Sequence, residues 1–288
     1  MAADGADRAG KAAVADRGRP AVELPAEVRR LWGADDRPRR GPKPALTLDQ
    51  ITTAAIGLAD AEGLAAVSMA RVAETLGYSS MALYRYVAGK DELLMLMSDA
   101  TAPDPPDLSG TGSWRDALEL WAMSQIGMVV RRPWYLDLPL AGVLPGPQRT
   151  KWIDAAFGAM AGLDAPFETK LRVIGLLAQH VLGEARVTVE SQRSASASAA
   201  RAGGLPPGTP VSEIPPELLA AADPYADFET VLASYADPEL YPALFAALQA
   251  VGGDVAQPAP RGWREEAAIG VGVLLDGIEL LLERAAGR

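Results

Sequence analysis

The sequence contains no cysteine and a single histidine, His180, among its 288 residues. These absences exclude disulfide frameworks, zinc ribbons, iron–sulfur clusters, thiol nucleophiles and multi-histidine metal sites. Long hydrophobic runs are also missing. The longest, from Ala267 to Leu275, has roughly half of the ~20 residues that a membrane-spanning helix needs. Since residues 1–30 contain no apolar block either, we expect no signal peptide and a cytoplasmic protein.

The motifs of common enzyme classes are absent as well. The sequence has no GxSxG nucleophile elbow, no Walker loop and no GxGxxG dinucleotide fingerprint. His180 and Glu184 stand four residues apart and could share a metal ion, but a lone histidine on an apolar helix is more often a hydrogen-bonded core residue. The sequence therefore predicts a protein that is not an enzyme and that holds neither a metal ion nor an organic cofactor.

Alanine is abundant in the hydrophobic fraction, which makes up 49% of the residues. Alanine has the lowest free-energy cost of any residue in a helix. From Thr47 onward, apolar residues recur at helical spacing, and no convincing strand alternation is present. The composition and the periodicity together predict an all-α fold.

The formal net charge of −10 is unevenly distributed. Residues 1–95 contain 13 Lys and Arg against 13 Asp and Glu, whereas residues 96–288 contain 14 against 24. The whole negative excess therefore lies in the second segment. An electroneutral N-terminal third joined to an acidic remainder predicts two parts with different partners.

Changes in composition suggest where these parts begin and end. Residues 1–36 are rich in Ala, Gly, Asp and Arg and predict a disordered extension, apart from one short helix within 22–32. A compact domain follows at 37–101 and begins with a basic, proline-containing arm. The remaining domain, 102–288, starts with a connector rich in Pro, Gly and Ser. Within it, the low-complexity segment 191–210 predicts a mobile loop.

Residues 68–87 have the spacing of a helix-turn-helix. Ala73 supplies the small residue needed where two helices cross, Gly77 tolerates a positive φ in the tight turn, and Leu83 packs against the alanine. Two ordinary helices of a bundle are the alternative, because alanine and glycine are common throughout this sequence.

The outer face of the second helix of this motif is short, polar and free of acidic residues, as a helix that enters the DNA major groove must be. Arg85 could contact a phosphate or a guanine edge, and Tyr84 with Lys90 could hold flanking phosphates. The basic arm at 37–43 could lie in the adjacent minor groove, a solvated linker being the alternative. The DNA-binding residues predicted in this way are Arg39, Arg40, Lys43, Thr47, Ser68, Ser79, Ser80, Met81, Ala82, Tyr84, Arg85 and Lys90, of which Thr47, Ser68 and Ser79 begin helices and can present backbone N–H groups to phosphate.

Residues 46–97 resemble the DNA-binding domain of the tetracycline-repressor (TetR) family of bacterial regulators. The matching features are Ala61-Glu62-Gly63, Val67-Ser68, Val72-Ala73, Leu76-Gly77 and above all the run from Ala82 to Val87, followed by Lys90 to Leu94. The resemblance implies that Tyr84, Tyr86 and Lys90 contact the DNA backbone. It assigns base contacts to Ser80, Met81, Ala82 and Arg85 and, on the preceding helix, to Met69, Ala70 and Arg71. Because the tetracycline repressor has a guanine-reading arginine where this chain has Ala70, the operator sequence cannot be transferred.

The same resemblance implies a larger all-helical domain that binds a small molecule and dimerises through its last long helices. Two apolar stripes are candidates for the dimer interface, with burial inside one subunit as the alternative. Their members are Leu171, Ile174, Ala178 and Leu182 in one stripe, and Ala267, Val271, Leu274 and Ile278 in the other.

Aromatic residues and methionines are concentrated in residues 114–157 and predict an apolar ligand pocket, unless they are simply core filler. The predicted ligand-binding residues are Trp121, Gln125, Met128, Trp134, Trp152, Phe157, His180 and Glu184.

The sequence thus predicts a three-helix helix-turn-helix domain followed by a ligand-binding and dimerisation domain. The predicted function is that of a homodimeric transcriptional regulator, a repressor of a palindromic double-stranded operator. A small hydrophobic or amphipathic effector would release it from DNA, and no membrane is involved. The alternative is a small-molecule binding or sequestering protein with a vestigial helix-turn-helix. An all-α enzyme would need a catalytic group that we do not find.

Overall fold

The computed structural model consists of helices and their connections, with no strand among the residues that it describes. This confirms the predicted all-α fold. None of the described helices is both long enough and apolar enough to cross a membrane. The structure describes residues 25–34, 46–139, 145–206, 209, 213–215, 217–218, 235–250 and 262–285.

The N-terminal part contains five described helices. They are α1 (Ala26–Leu31), α2 (Leu48–Glu62), α3 (Met69–Leu76), α4 (Ser80–Leu83) and α5 (Lys90–Ala100), with a 3₁₀ turn at Leu64–Ala66. Helix α2 begins at Thr47, whose side chain accepts a hydrogen bond from the backbone N–H of Gln50 while Gln50 caps in return. Helix α3 begins at Ser68, whose hydroxyl accepts the backbone N–H of Arg71. These two predicted helix starts are confirmed.

The helix-turn-helix has the geometry that its spacing predicts. Gly77 ends α3 in the left-handed conformation, with φ of 74°, which a side chain would strain. Beyond this turn, Leu83 is completely buried, as is Val72, while Ala73 is 1% exposed. Helix α3 therefore packs on both α2 and α4, while Met81 on the opposite side of α4 stays in solvent.

Helix α1 is the short helix that the sequence allows within residues 22–32, and tertiary contacts hold it in place. Val28 of α1 is buried, and Arg30 donates from Nε to the carboxylate of Glu92 in α5 over 2.6 Å. An apolar contact and a partly buried ion pair thus order residues 26–31 by tertiary contact, which the local composition does not reveal. The other residues of the extension lie outside the described residues, except 25 and 32–34.

The C-terminal part is built around three long helices that pack on one another. These are α6 (Trp114–Arg131), α8 (Phe167–Ala202) and α10 (Trp263–Ala285), with α7 (Pro147–Ala159), α9 (Pro242–Ala250) and a 3₁₀ turn at Pro133–Asp137 completing the described elements. One hydrophobic core runs through the helix-turn-helix part and this helical part without a break. The two predicted domains are therefore in direct contact.

The predicted mobile loop at 191–210 is wrong for its first twelve residues, because α8 continues to Ala202. Residues 194–199 alternate Ser and Ala, and residues 194–202 contain neither Gly nor Pro. Alanine favours the helix, and serine costs little there. The helix ends only at Gly203 and Gly204, and Gly204 adopts a φ of 65°.

Candidate DNA interface and ligand cavity

The exposed face of α4 and of the turn after it carries the side chains expected of a DNA-reading surface. Met81 is 72% exposed and Tyr84 48% exposed, and Arg85 and Lys90 are exposed too. Of the other predicted residues here, Ser79 is exposed, while Ser80, Ala82 and Tyr86 are half-buried. The arm residues Arg39, Arg40 and Lys43 lie outside the described residues.

Helix α3 corrects one predicted contact. Met69 is buried in the core, because it shares the inner face of α3 with Val72 and Ala73, three and four residues further on. It is therefore unavailable to DNA. Ala70 and Arg71 are exposed on the same first turn, next to Ser68.

Arg71 is held by an ion pair that the sequence analysis missed. Its two terminal nitrogens donate to the two carboxylate oxygens of Glu62, each over 2.7 Å. The hydrogen bond from Arg71 lowers the pKa of the Glu62 carboxyl below its ordinary value, so the pair is formed at neutral pH. Nine residues and a 3₁₀ turn separate the partners, so helical spacing gives no signal for this contact.

Glu92 is a second residue that the sequence analysis did not identify. Its carboxylate is buried and accepts the backbone N–H of Ala88 over 2.6 Å, together with the guanidinium of Arg30. The Ala88 bond fixes the turn between α4 and α5. Glu92 therefore positions Lys90 relative to the recognition helix, and α1 is fastened to the same carboxylate.

A cavity of about 360 Å³ lies between α6, α7 and α8. This volume falls within the range of small-molecule sites, roughly 300–1,000 Å³. Its walls are mainly apolar and aromatic, with few polar groups. Four of the predicted ligand-binding residues line it: Trp121, Gln125, Met128 and Trp152.

The other four predicted ligand-binding residues do not line this cavity. Trp134 donates from its indole nitrogen to Asp60 over 2.7 Å, and Phe157 stacks on Phe167 with ring centroids 5.2 Å apart. His180 and Glu184 lie 3.6 Å apart beside Gly270 of α10, where a Cβ atom would come within 2.9 Å of the Glu184 carboxylate. His180 and Glu184 therefore lie where α8 packs closely on α10, and not in the wall of the cavity.

The side chains of both predicted dimer stripes have contacts within the subunit. Leu171, Ile174, Ala178 and Leu182 line the cavity. Ala267, Val271 and Ile278 are buried in the core, and Leu274 is half-buried against it. Apolar periodicity marks the face of a helix that is buried, but it does not tell whether the covering surface belongs to the same chain.

Exposed apolar side chains occupy other faces of α8 and α10. On α10, Ile269, Val273 and Leu280 are 49%, 68% and 54% exposed and recur at helical spacing. On α8, Leu176 and Val187 are 39% and 54% exposed. These residues, which we call the outer stripe, are large apolar side chains of the two long helices that stay exposed among the described residues.

Two hydrogen-bond donors in the cavity have no partner among the described residues. They are Nε2 of Gln125 and Nη1 of Arg149, both buried. A buried donor without a partner costs about 1–3 kcal/mol, and more if it is charged. Tyr135 completes the polar wall, and burial raises the pKa of its phenol, so the hydroxyl is protonated at neutral pH.

The cavity is connected to the helix-turn-helix part through α7. The carboxylate of Asp99, at the end of α5, accepts the backbone N–H groups of Gln148 and Arg149 over 3.1 and 2.9 Å and so caps α7. Gly146 permits this contact, since a Cβ there would lie 2.4 Å from the Asp99 carboxyl carbon. Helix α7 also contributes Arg149 and Trp152 to the cavity wall. A displacement of α7 would therefore displace the end of α5 as well.

A second connection runs through α6. Just beyond the end of α6, Arg132 and Trp134 both donate to Asp60 of α2, over 3.1 and 2.7 Å. Earlier in the same helix, Trp121, Gln125 and Met128 line the cavity. Helix α6 thus reaches from the cavity to α2 of the helix-turn-helix part.

Comparison with known proteins gives related regulators. A family model described as bacterial regulatory proteins, tetR family, matches residues 51–96. The chain is 39% identical over 167 residues to the HTH-type transcriptional repressor DrrR1 of Streptomyces coeruleorubidus, and 32% identical over 134 residues to an HTH-type transcriptional regulator of Saccharopolyspora erythraea. The alignments cover 57% and 45% of this chain but 62% and 56% of the relatives, less than two thirds of either.

Solved structures share the fold over most of the chain. Apo ActR, a protein of Streptomyces coelicolor, superposes with a TM-score of 0.60 at 20% identity, covering 85% of this chain and all of that one. The complex of ActR, described as a TetR family protein, with actinorhodin gives 0.58 at 21% identity, covering 82% and 96%. At these identities the likeness concerns the arrangement of helices alone.

Proposed function

We propose that this chain, whose residues 51–96 match the model of the tetR family of bacterial regulatory proteins, is a transcriptional repressor that binds a palindromic operator as a homodimer and releases it when a small molecule fills the cavity. The observation that carries this proposal is the exposed, acid-free face of α4 and the turn after it, with Met81, Tyr84 and Arg85 in solvent and Lys90 beside them. Its site of action would be the cytosol, where the operator lies.

The recognition surface divides into two kinds of contact. Met81, Ala82 and Ser80 lie at the leading end of α4 and would meet base edges in the major groove, where methionine and alanine suit a thymine methyl group. Tyr84 and Lys90 flank them and would bind phosphates. Phosphate contacts supply affinity and salt dependence, whereas base contacts supply the choice of sequence.

A dimer is required to read a palindrome, and we propose that the outer stripe of α8 and α10 forms its interface. Five exposed apolar side chains on two adjacent long helices are costly in water and suit a four-helix arrangement with a second copy. Gly183 lies between Leu176 and Val187, and space around its Cα is open, which allows a partner helix to come close.

Effector binding would act as a shift between two arrangements of this dimer. Both recognition helices must stand about 34–36 Å apart to enter successive major grooves. A ligand that binds better to another spacing lowers operator affinity by at most the factor of its preference between the two arrangements. A shift of α7 would reach the helix-turn-helix part through its hydrogen bonds to Asp99. A shift of α6 would reach it through the hydrogen bonds of Arg132 and Trp134 to Asp60.

The experiment that tests this function is selection of bound duplexes from a random DNA pool by the purified full chain, at two salt concentrations. We expect an inverted repeat that binds more weakly at the higher salt concentration. Failure to enrich any motif with folded protein would contradict the repressor proposal and favour a small-molecule binding protein with a vestigial helix-turn-helix.

A further inference from the structure

We infer that the ligand of the cavity is an aromatic molecule that bears an anionic oxygen group, and that Arg149 is the residue that recognises this group. The inference rests on the proposed function, because it names the chemical class of the effector for the same cavity. It is carried by the polar atoms of the cavity wall and by the hydrogen bonds that they do and do not make.

The indole N–H groups of the cavity are already satisfied within the protein. Trp121 donates to the backbone carbonyl of Trp152 over 2.8 Å, and Trp152 donates to the carbonyl of Pro103 over 2.7 Å. The two rings meet edge to face, with centroids 6.2 Å apart. They can therefore offer a ligand only their ring surfaces, which suit a flat aromatic group.

Arg149 and Gln125, in contrast, each have a donor that no group of the protein satisfies among the described residues. The Nη1 atom of Arg149 and the Nε2 atom of Gln125 are buried donors without a hydrogen-bond partner among the described residues. The Asp99 carboxylate accepts the backbone N–H of Arg149, while Nη1 of the Arg149 guanidinium donates to no described residue. A buried guanidinium nitrogen without a hydrogen-bond partner is an incomplete site for an anion.

The other residues of the cavity wall also favour an anionic ligand. None of the described residues that line the cavity is acidic, and the others there are mainly Leu, Ile, Val, Ala and Met. A cationic ligand would meet the Arg149 charge with no acid to offset it. A wholly apolar ligand would leave both donors unpaired. A carboxylate, phenolate or sulfonate on an aromatic scaffold satisfies the donors and fills the apolar volume together.

Two naphthalene dyes that differ in one group make the test direct. The probe 1-anilinonaphthalene-8-sulfonate has the anionic group, and N-phenyl-1-naphthylamine has the same ring scaffold without it. Binding is followed by dye fluorescence and by energy transfer from tryptophan in the full-length protein. We expect the sulfonate to bind at least about tenfold more tightly than the neutral dye, which corresponds to about 1.4 kcal/mol.

Substitutions then locate the effect. Arg149→Met should weaken binding of the sulfonate dye by about tenfold and change the affinity for the neutral dye by less than about twofold. Arg172→Met is the matched control, since Arg172 is exposed on α8 and lines no part of the cavity. Ala178→Phe, which narrows the cavity, should weaken both dyes.

The inference is overturned if Arg149→Met leaves the sulfonate affinity unchanged, if Arg172→Met lowers it equally, or if Ala178→Phe affects neither dye. An enriched operator motif combined with any of these results would leave the DNA-binding function standing and remove only the anion site. Loss of both the motif and the dye binding would remove the proposed function as well.

Discussion

At the scale of single residues, the recognition surface separates affinity from sequence choice. Lys90 is exposed at the start of α5, while Met81 lies on the exposed face of α4. We expect Lys90→Ala to weaken binding to all sequences by a similar factor and to reduce the slope of log affinity against log salt by about one. Met81→Ala should instead change the preferred bases. Titration of operator and scrambled duplexes at several salt concentrations distinguishes these effects.

Lys151→Ala serves as the control for Lys90→Ala, because Lys151 is an exposed lysine of α7 that pairs with Asp104 away from the helix-turn-helix. An unchanged salt slope in Lys90→Ala would mean that the recognition helix does not dock on DNA as proposed.

The Glu62–Arg71 pair makes a second prediction at this scale. Glu62 neutralises Arg71 at the surface next to Ser68, where a phosphate would otherwise be attracted. Glu62→Gln should therefore strengthen binding at low salt by about two- to fivefold, because one more positive charge becomes available to the backbone. The measurement is fluorescence anisotropy with a labelled duplex.

Acid should have a similar effect for the same reason. The pKa of the Glu62 carboxyl is lowered by Arg71, so the pair is complete at neutral pH and is lost only as pH falls through that lowered value. Asp49→Asn is the control, since Asp49 is exposed on the same helix as Glu62 and makes no hydrogen bond to Arg71 among the described residues. Equal strengthening in Asp49→Asn would indicate a general charge effect and contradict the specific role of the pair.

At the scale of elements, Asp99 joins α5 to α7. Its carboxylate is 5% exposed and caps α7 from a different helix. Asp99→Ala should destabilise the protein by about 1–2 kcal/mol, since it removes a buried cap. It should also weaken dye binding, because α7 carries Arg149 and Trp152 into the cavity. Urea unfolding and the dye titration check the two effects.

A matched control lies nearby in Asp104, which pairs with Lys151 of the same helix but is 73% exposed. Asp104→Ala should change stability by less than about 0.5 kcal/mol, because solvent screens an exposed pair. If both variants behaved alike, Asp99 would not be the element that fastens α7 to the DNA-binding unit.

At the scale of the whole molecule, the proposed operator binding would depend on the outer stripe as the proposed dimer interface. Val273 is 68% exposed at its centre on α10. Val273→Glu places a charge in the proposed interface and should give a folded monomer, with operator affinity reduced by about a hundredfold or more through loss of two-site binding. Sedimentation velocity and a duplex titration on the same sample measure both quantities.

Leu240→Glu is the control for Val273→Glu, since Leu240 is 71% exposed but lies outside the long helices. The Leu240→Glu protein should remain dimeric. A Val273→Glu protein that also remained dimeric would show that the subunits associate through another surface.

Local patterns determined the secondary structure of the N-terminal domain and the identity of its motif. Thr47, Ser68, Gly77 and Leu83 act through contacts within a few residues, so their roles can be read from spacing. The resemblance to the TetR family rests on the same region, because the matching family model spans residues 51–96. The low-complexity stretch before Gly203 misled the prediction because serine and alanine tolerate both loop and helix.

Tertiary structure alone decided how the apolar faces are covered. Leu171 and Val271 occupy stripes of the same kind, yet one lines a cavity and the other is buried in the core. Periodicity gives the direction in which a side chain points along its own helix, whereas burial and pairing depend on which helix lies opposite. The Arg30–Glu92 and Trp134–Asp60 contacts join residues 62 and 74 positions apart. The sequence therefore determined the helices and the motif, whereas the packing determined the cavity and its connection to the helix-turn-helix part.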